Sequence, residues 1–227
     1  MMKLELPRGL VVSCQAHGDN PLRGAETMAA MAVAAERAGA IAIRADGPDD
    51  IRAIARRVQL PLIGIYKVDQ PAKRAWITPT FEHAHALVEA GASIVALDAS
   101  YDYQPDDGNL TTLITRIHEE LKVPVFADIS TFAEAQRAWK LGAEAVLSTL
   151  SGYTSQSPAR TTPDGELVAR CAKAGMCVIA EGHVRSPEQA SMLLSRGAYA
   201  VVVGTAITNP LAIASWYREA MQDVLQN

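Results

Sequence analysis

The sequence predicts an α/β fold, a single (β/α)8 barrel of the TIM type spanning residues 1–227. Three observations lead there. An alanine-rich helical run, a glycine and a β-branched run recur in that order, at Ala38-Gly39-Ala40, Ala90-Gly91-Ala92, Leu141-Gly142-Ala143, Ala174-Gly175-Met176 and Arg196-Gly197-Ala198. Glycine suits a left-handed helix cap, because a residue without Cβ meets no steric penalty there. The apolar runs that follow are short and largely non-alternating, as in strands covered on both faces. Lastly, the length fits one barrel of roughly 250 residues, and no Gly-, Ser- or Pro-rich linker divides the chain. A doubly wound open sheet also alternates strand and helix, but rarely needs eight units.

The elements follow in order. LVVSCQ is a strand ending near Gln15, and AETMAAMAVAAERAG is a helix. IAIRA ends near Arg44, DIRAIARRVQ is helical, and Pro61 precedes LIGIYK, ending near Lys67. FEHAHALVEAG leads to a strand ending near Asp98, LTTLITRIHEEL to one ending near Asp128, and TFAEAQRAWKLG to one ending near Thr149. GELVARCAKAG precedes the strand ending near Glu181, and PEQASMLLSRG precedes the last, ending near Gly204. PLAIASWYREAMQDVLQ closes the chain.

Composition narrows the function classes. Hydrophobic residues at 49% and charged residues at 20% describe a globular protein rather than a disordered one. A net charge of −4, a pI near 5.7 and 5% aromatics argue against a nucleic-acid footprint or a polybasic membrane patch. Three cysteines, Cys14, Cys171 and Cys177, form neither a disulfide framework nor a metal-ligand spacing. Met1 to Gly9 has no apolar leader core, and no apolar run reaches the roughly 18 residues of a membrane span. The expectation is a soluble, cytoplasmic, mildly acidic protein.

Active sites in this fold lie at the C-terminal ends of the strands. Those ends carry Gln15, Arg44, Lys67, Asp98, Asp128, Thr149 and Glu181, so closure of the barrel brings seven polar residues to one rim. Lys67 and Glu181 follow apolar runs, and burial lowers a lysine pKa and raises a glutamate pKa. A lysine brought toward neutrality takes a proton from carbon or attacks a carbonyl. Gly182 and His183 after strand seven, and Gly204 and Thr205 after strand eight, sit where barrels commonly hold a phosphate, with a helix opening near Pro210. His83 and His85 are two apart on a helix and diverge, so they are no metal pair. Cys14 turns to the opposite side from Gln15, and Cys171 and Cys177 read as small core residues. The acidic pairs Asp49-Asp50 and Asp106-Asp107 read as solvated helix starts.

Together, VVSCQ, AIR ending at Arg44, IGIYK ending at Lys67, DIST after Ala127, TLSGYT from Thr149 to Thr154, AEG and VVVGTAIT resemble the N-acetylmannosamine-6-phosphate 2-epimerase family, from about Gly9 to Tyr217. The resemblance implies interconversion of N-acetylmannosamine 6-phosphate and N-acetylglucosamine 6-phosphate in sialic-acid breakdown, without cofactor or metal. It implies Lys67 as the acid/base at carbon 2, Glu181 as its partner, Asp128 and Arg44 completing the catalytic cluster and Gln15 binding substrate. It also suggests a homodimer built partly on the last helix, where Trp216 and Tyr217 stand beside Leu211, Ile213 and Val224.

Facing positions on strands three and seven allow Lys67 and Glu181 to serve opposite faces of the substrate; a single-base route with Glu181 opening the ring is equally open. The chain departs from the family pattern at His183, at Asn209 and at Tyr103-Gln104-Pro105, where members carry arginines; Arg185 or Arg160 would have to compensate. Two other readings remain at this stage, a Schiff-base aldolase or lyase using Lys67 and a sugar-phosphate-binding barrel without turnover.

Overall fold

The computed structural model describes residues 6–71, 73–104 and 107–225. Pro105 and Asp106, singled out above, lie outside them.

Eight parallel strands close into a barrel: β1 (Gly9–Cys14), β2 (Ala42–Asp46), β3 (Leu62–Ile65), β6 (Ile94–Asp98), β7 (Val125–Asp128), β8 (Ala145–Leu147), β9 (Val178–Ala180) and β10 (Ala200–Val203). Each pairs with its neighbours in chain order, and β1 closes the ring by pairing Gly9 with Ala200 and Val12 with Val203. The outer helices include α1 (Ala25–Arg37), α2 (Gly47–Ala55), α3 (Phe81–Ala90), α4 (Asp107–Arg116), α5 (Phe132–Lys140), α6 (Gly165–Lys173) and α7 (Pro187–Ser195). The five glycines of the recurring phrase all have positive φ, between 78 and 115°. At Gly64 the need is space instead: a Cβ there would stand 2.8 Å from that of Ala92, so glycine lets α3 settle on β3.

The period of two along a strand decides which residues reach the site. Val11, Ile63, Ile65, Phe126, Leu147, Ile179 and Val202 fill the barrel interior. Val12, Cys14, Ile43 and Ala45 pack outward against the helices, which puts Cys14 in the wall as expected. Continuing the inward series past the apolar layer gives Ser13, Arg44, Lys67, Asp128, Thr149 and Glu181.

Two boundaries differ from the expectation. β2 runs on to Asp46, so Arg44 lies inside the strand, in register with Ser13 and Ile63, one layer below the rim. Lys67 does not end a strand; it opens an antiparallel hairpin, β4 (Lys67–Gln70) with β5 (Lys73–Ile77), which the sequence reading missed. Charged residues interrupt the apolar pattern there, and its anchor is long-range. Trp76 packs on Tyr103, 4.7 Å between centroids, and the Tyr103 hydroxyl donates to the Pro79 carbonyl at 2.6 Å. After β10 a short helix, α8 (Thr205–Thr208), precedes α9 (Pro210–Leu225). No helix among the described residues is long and apolar enough to cross a membrane.

Candidate active site

A cavity of about 650 Å³ opens at the C-terminal end of the barrel, lined by Gln15, Arg44, Lys67, Thr149 and Glu181 among others. That size lies within the range of small-molecule sites. Five of the seven strand-end residues therefore meet in one space. Asp128 is fully buried behind them, in contact with Arg44 and Thr149. Asp98 belongs to a separate contact, accepting from Arg74 of the hairpin at 2.5 Å and from the Ser100 hydroxyl at 2.6 Å.

Arg44 holds the centre. Its guanidinium, 1% exposed, donates to Asp128 Oδ2 at 2.7 Å and pairs with Glu181 Oε2 at 3.2 Å. Burial opposes its charge, but Asp128 and Glu181 outweigh that and raise its pKa. Opposite effects act on the two groups at the cavity wall. Burial first, then Asp128, pushes the Glu181 carboxyl above the usual range, against Arg44, Thr149 and Lys67. Burial first, then the Arg44 cation, holds the Lys67 ammonium below the usual range, against Asp46, Glu181 and Asp128.

The hydroxyl of Thr149 sits between two carboxylates, 2.5 Å from Asp128 Oδ1 and 3.1 Å from Glu181 Oε2. One hydroxyl proton serves one acceptor, so both contacts are filled when Glu181 is itself protonated. Across the cavity, Lys67 donates to Gln15 Oε1 at 2.7 Å and contacts His17 Nε2 at 3.1 Å, while its backbone N–H donates to Asp46 Oδ1 at 2.9 Å. His17 was missed in the sequence, because it lies past the end of β1, where strand alternation no longer says which way a side chain faces.

Gly182, His183, Gly204 and Thr205 all line the same cavity. Gly182 takes φ 98°, a conformation that side chains strain to adopt, and the space beside it is otherwise ordinary, a Cβ there meeting the Thr149 carbonyl oxygen at 3.4 Å. His183 is also left-handed, at φ 58°, and stacks on Tyr153 with centroids 4.8 Å apart. Burial, then Arg185, lowers its pKa, so it brings a neutral ring where an arginine would bring a charge.

Arg185 lines the cavity and lies over Trp216 of α9, 4.8 Å from the ring centroid. Arg160 instead pairs with Asp164 at 3.0 Å. Asn209 does other work: its Oδ1 accepts from Ala212 N at 3.2 Å, capping α9 immediately before Pro210. Gln104 is buried, its carbonyl accepting from Arg137 at 2.7 Å.

The remaining candidates take structural places. His83 contacts the Thr80 hydroxyl and Tyr66, whereas His85 faces Glu89 at 3.5 Å. Cys171 is buried and Cys177 half-buried. Asp49 is exposed, as expected of a solvated helix start; Asp50 is half-buried, and burial, then Asp46 and Asp49, pushes its carboxyl up to about 6.

Comparison with known proteins adds a further set of findings. The profile of a family described as "NanE: Putative N-acetylmannosamine-6-phosphate epimerase" matches residues 28–223. A "Putative N-acetylmannosamine-6-phosphate 2-epimerase" of Caldanaerobacter subterraneus subsp. tengcongensis is 50% identical over 210 residues, covering 91% of this chain and 88% of that protein. One of the same description from Cutibacterium acnes is 42% identical, covering 94% of each. The solved structure of the N-acetylmannosamine-6-phosphate 2-epimerase from Clostridium perfringens superposes with a TM-score of 0.86 at 38% identity, over 93% of this chain and 92% of that one.

Proposed function

The chain belongs to the N-acetylmannosamine-6-phosphate epimerase family, and from that premise we propose that it interconverts N-acetylmannosamine 6-phosphate and N-acetylglucosamine 6-phosphate by proton transfer at carbon 2. One observation carries the assignment of roles: Lys67 and Glu181 line one cavity and their pKa values are displaced toward each other, the lysine down and the glutamate up. Displacement in opposite directions is how acid and base roles are divided at a fixed pH.

Lys67 takes the carbon-2 proton of the open-chain aldehyde. The electron pair passes into an enolate, which the Arg44 cation favours electrostatically, and Glu181 delivers a proton to the opposite face. Gln15 orients the Lys67 amine, while Asp128 and Thr149 orient Arg44 and Glu181. Gly182, His183, Gly204 and Thr205 take the phosphate. The first N–H groups of α8 have no intrahelical acceptor, and Arg185 supplies the cation.

The same reading includes a homodimer through α9, whose Leu211, Tyr217 and Met221 are 52, 70 and 61% exposed. Sedimentation at micromolar concentration tests it, a monomer counting against. Cytoplasmic location and a place in sialic-acid breakdown follow the family.

Proton NMR of the enzyme with N-acetylmannosamine 6-phosphate in heavy water tests the reaction. The gluco epimer should appear with deuterium at carbon 2. A folded enzyme giving neither conversion nor exchange would refute the proposal.

A further inference from the structure

The reaction above gives Arg74 no part, yet it stands on the wall of the same cavity. It lies on β5 of the hairpin that begins at Lys67, and 20% of its side chain is exposed. The fourth strand of the barrel sets its place. Nη1 donates to the buried Asp98 carboxylate at 2.5 Å and to the Ala75 carbonyl at 3.1 Å, and Nη2 donates to the Ser100 hydroxyl at 2.7 Å. A guanidinium carries five N–H groups. The Nε hydrogen and one on Nη2 are left over, with no acceptor among the described residues. Burial raises the Asp98 pKa, but Arg74 and Ser100 oppose that and every bond to the group fits its charged form. Asp98 thus offsets the charge of the guanidinium, and what faces a ligand is a pair of directed donors with little net charge. Such donors suit a neutral carbonyl oxygen better than a phosphate. Ala75 and Ile77 of the same strand also line the cavity, so an apolar surface lies beside them.

Position in the ring decides which part of the substrate arrives there. β6, which carries Asp98, is four strands from β10 in the closed ring of eight and so faces it. The proposed reaction puts the carbon-6 phosphate at the turns after β9 and β10, and carbon 2 at Lys67. The sugar chain then runs across the mouth of the barrel, and the substituent of carbon 2 comes under the hairpin. That substituent is an acetamido group, a carbonyl beside a methyl. The wall there matches it, two free donors beside Ala75 and Ile77. We propose that Arg74 donates to the carbonyl oxygen of the N-acyl group on carbon 2 and makes the site selective for N-acylated 2-amino sugars. The inference rests on the epimerase reading, but not on how that reaction divides its proton transfers.

The test uses two open-chain phosphates that lack the carbon-1 carbonyl and so bind without reacting. One is N-acetylglucosaminitol 6-phosphate; the other is glucitol 6-phosphate, with a hydroxyl where the first has its acetamido group. Wild type, Arg74→Gln and Arg74→Lys are titrated with each by calorimetry, after thermal melts and the proton NMR experiment above. Wild type should bind the acetamido compound about tenfold more tightly than the other. Both variants should lose that preference while binding glucitol 6-phosphate within about twofold of wild type. Arg74→Lys keeps a cation beside Asp98 without the planar fork, so it decides the matter even where Arg74→Gln fails to fold. Equal weakening of both compounds would make Arg74 a support for the hairpin and overturn the proposal. A preference kept in the variants, or absent from wild type, would overturn it too. A wild type that gives no epimerisation by NMR refutes the underlying reading instead, and that is known before any variant is titrated.

Discussion

Two parts of the cavity lining are built on different principles. Around Arg44 and Glu181, side chains rise from four different strands or their ends, and the central guanidinium is fixed by two carboxylates at 2.7 and 3.2 Å. In the other part, Gly182, His183 and Thr205 sit on the turns after β9 and β10, and the cation, Arg185, is exposed and stacked on a ring of α9. The strands set the first geometry to within the stiffness of the barrel; the second depends on loop conformation and a single cation–π contact. Proton transfer is sensitive to small displacements, whereas a phosphate is held by several donors of which one can be exchanged for another. His183 and Asn209, where the resemblance leads one to expect arginine, both line the cavity on this second side.

If the difference is real, substitutions in the two parts act on different quantities. Lys67→Ala should lower kcat/KM by about a thousandfold or more, within the range of general acid–base catalysis, with an unchanged melting temperature; retained activity would break the comparison at its strongest point. Glu181→Gln should be nearly as severe. In the proposed reaction the competent state has a neutral lysine and a protonated glutamate. The wild-type rate therefore falls at low pH as Lys67 gains a proton and at high pH as Glu181 loses one. Glu181→Gln should abolish the alkaline limb of its residual activity and keep the acid limb.

Arg44→Met tests stability in the same part. Removing one member of a buried ionic cluster leaves Asp128 charged and unpaired, at a cost of about 3–5 kcal/mol, readable by urea unfolding. An unfolding free energy within about 1 kcal/mol of wild type would show that the cluster does not organise the rim. The anion side should answer otherwise. Arg185→Ala is expected to raise KM roughly tenfold, as loss of one charge-assisted contact does, with kcat within about twofold of wild type. Trp216→Ala should do the same more weakly by freeing the guanidinium. A loss of kcat in Arg185→Ala as large as that in Glu181→Gln would erase the distinction between the two parts.

The contrast also separates what the sequence made legible from what it did not. The barrel was readable because its signals are local: a glycine forced to positive φ after each of five helices, and apolar runs too uniform for one-sided strands. Gln15, Lys67, Thr149 and Glu181 were readable because a period of two carries each inward strand face to its rim. Asp98 passed the same test and still left the cavity, because Arg74 of an unanticipated hairpin claimed it. That hairpin has polar strands and a tertiary anchor in Trp76 and Tyr103, and neither leaves a periodic trace. On the anion side, the choice between Arg185 and Arg160 turned on a ring in α9 and a carboxylate at Asp164, contacts that no spacing encodes.

The smallest effect lies at the edge of the catalytic side, where Asp46, Asp49 and Asp50 crowd the start of α2. Burial first, and then its two neighbours, pushes the Asp50 carboxyl from 3.8 up to about 6, so the folded protein binds this proton more tightly than the unfolded chain does. The charged form is the disfavoured one in the fold. Its penalty is absent below the unfolded pKa, grows as the pH rises from 3.8 through about 6, and is complete at neutrality. Asp50→Asn should therefore raise stability at pH 7 by about 1 kcal/mol, after allowance for partial solvent screening and for the lost favourable charge in the first helical turn. The gain should vanish below about pH 4, near the unfolded pKa of an aspartate. A pH-independent gain would point to packing rather than charge. A loss at neutral pH would mean that the acidic crowding around Lys67 is compensated locally, and that this side of the cavity is no more strained than the loops proposed to hold the phosphate.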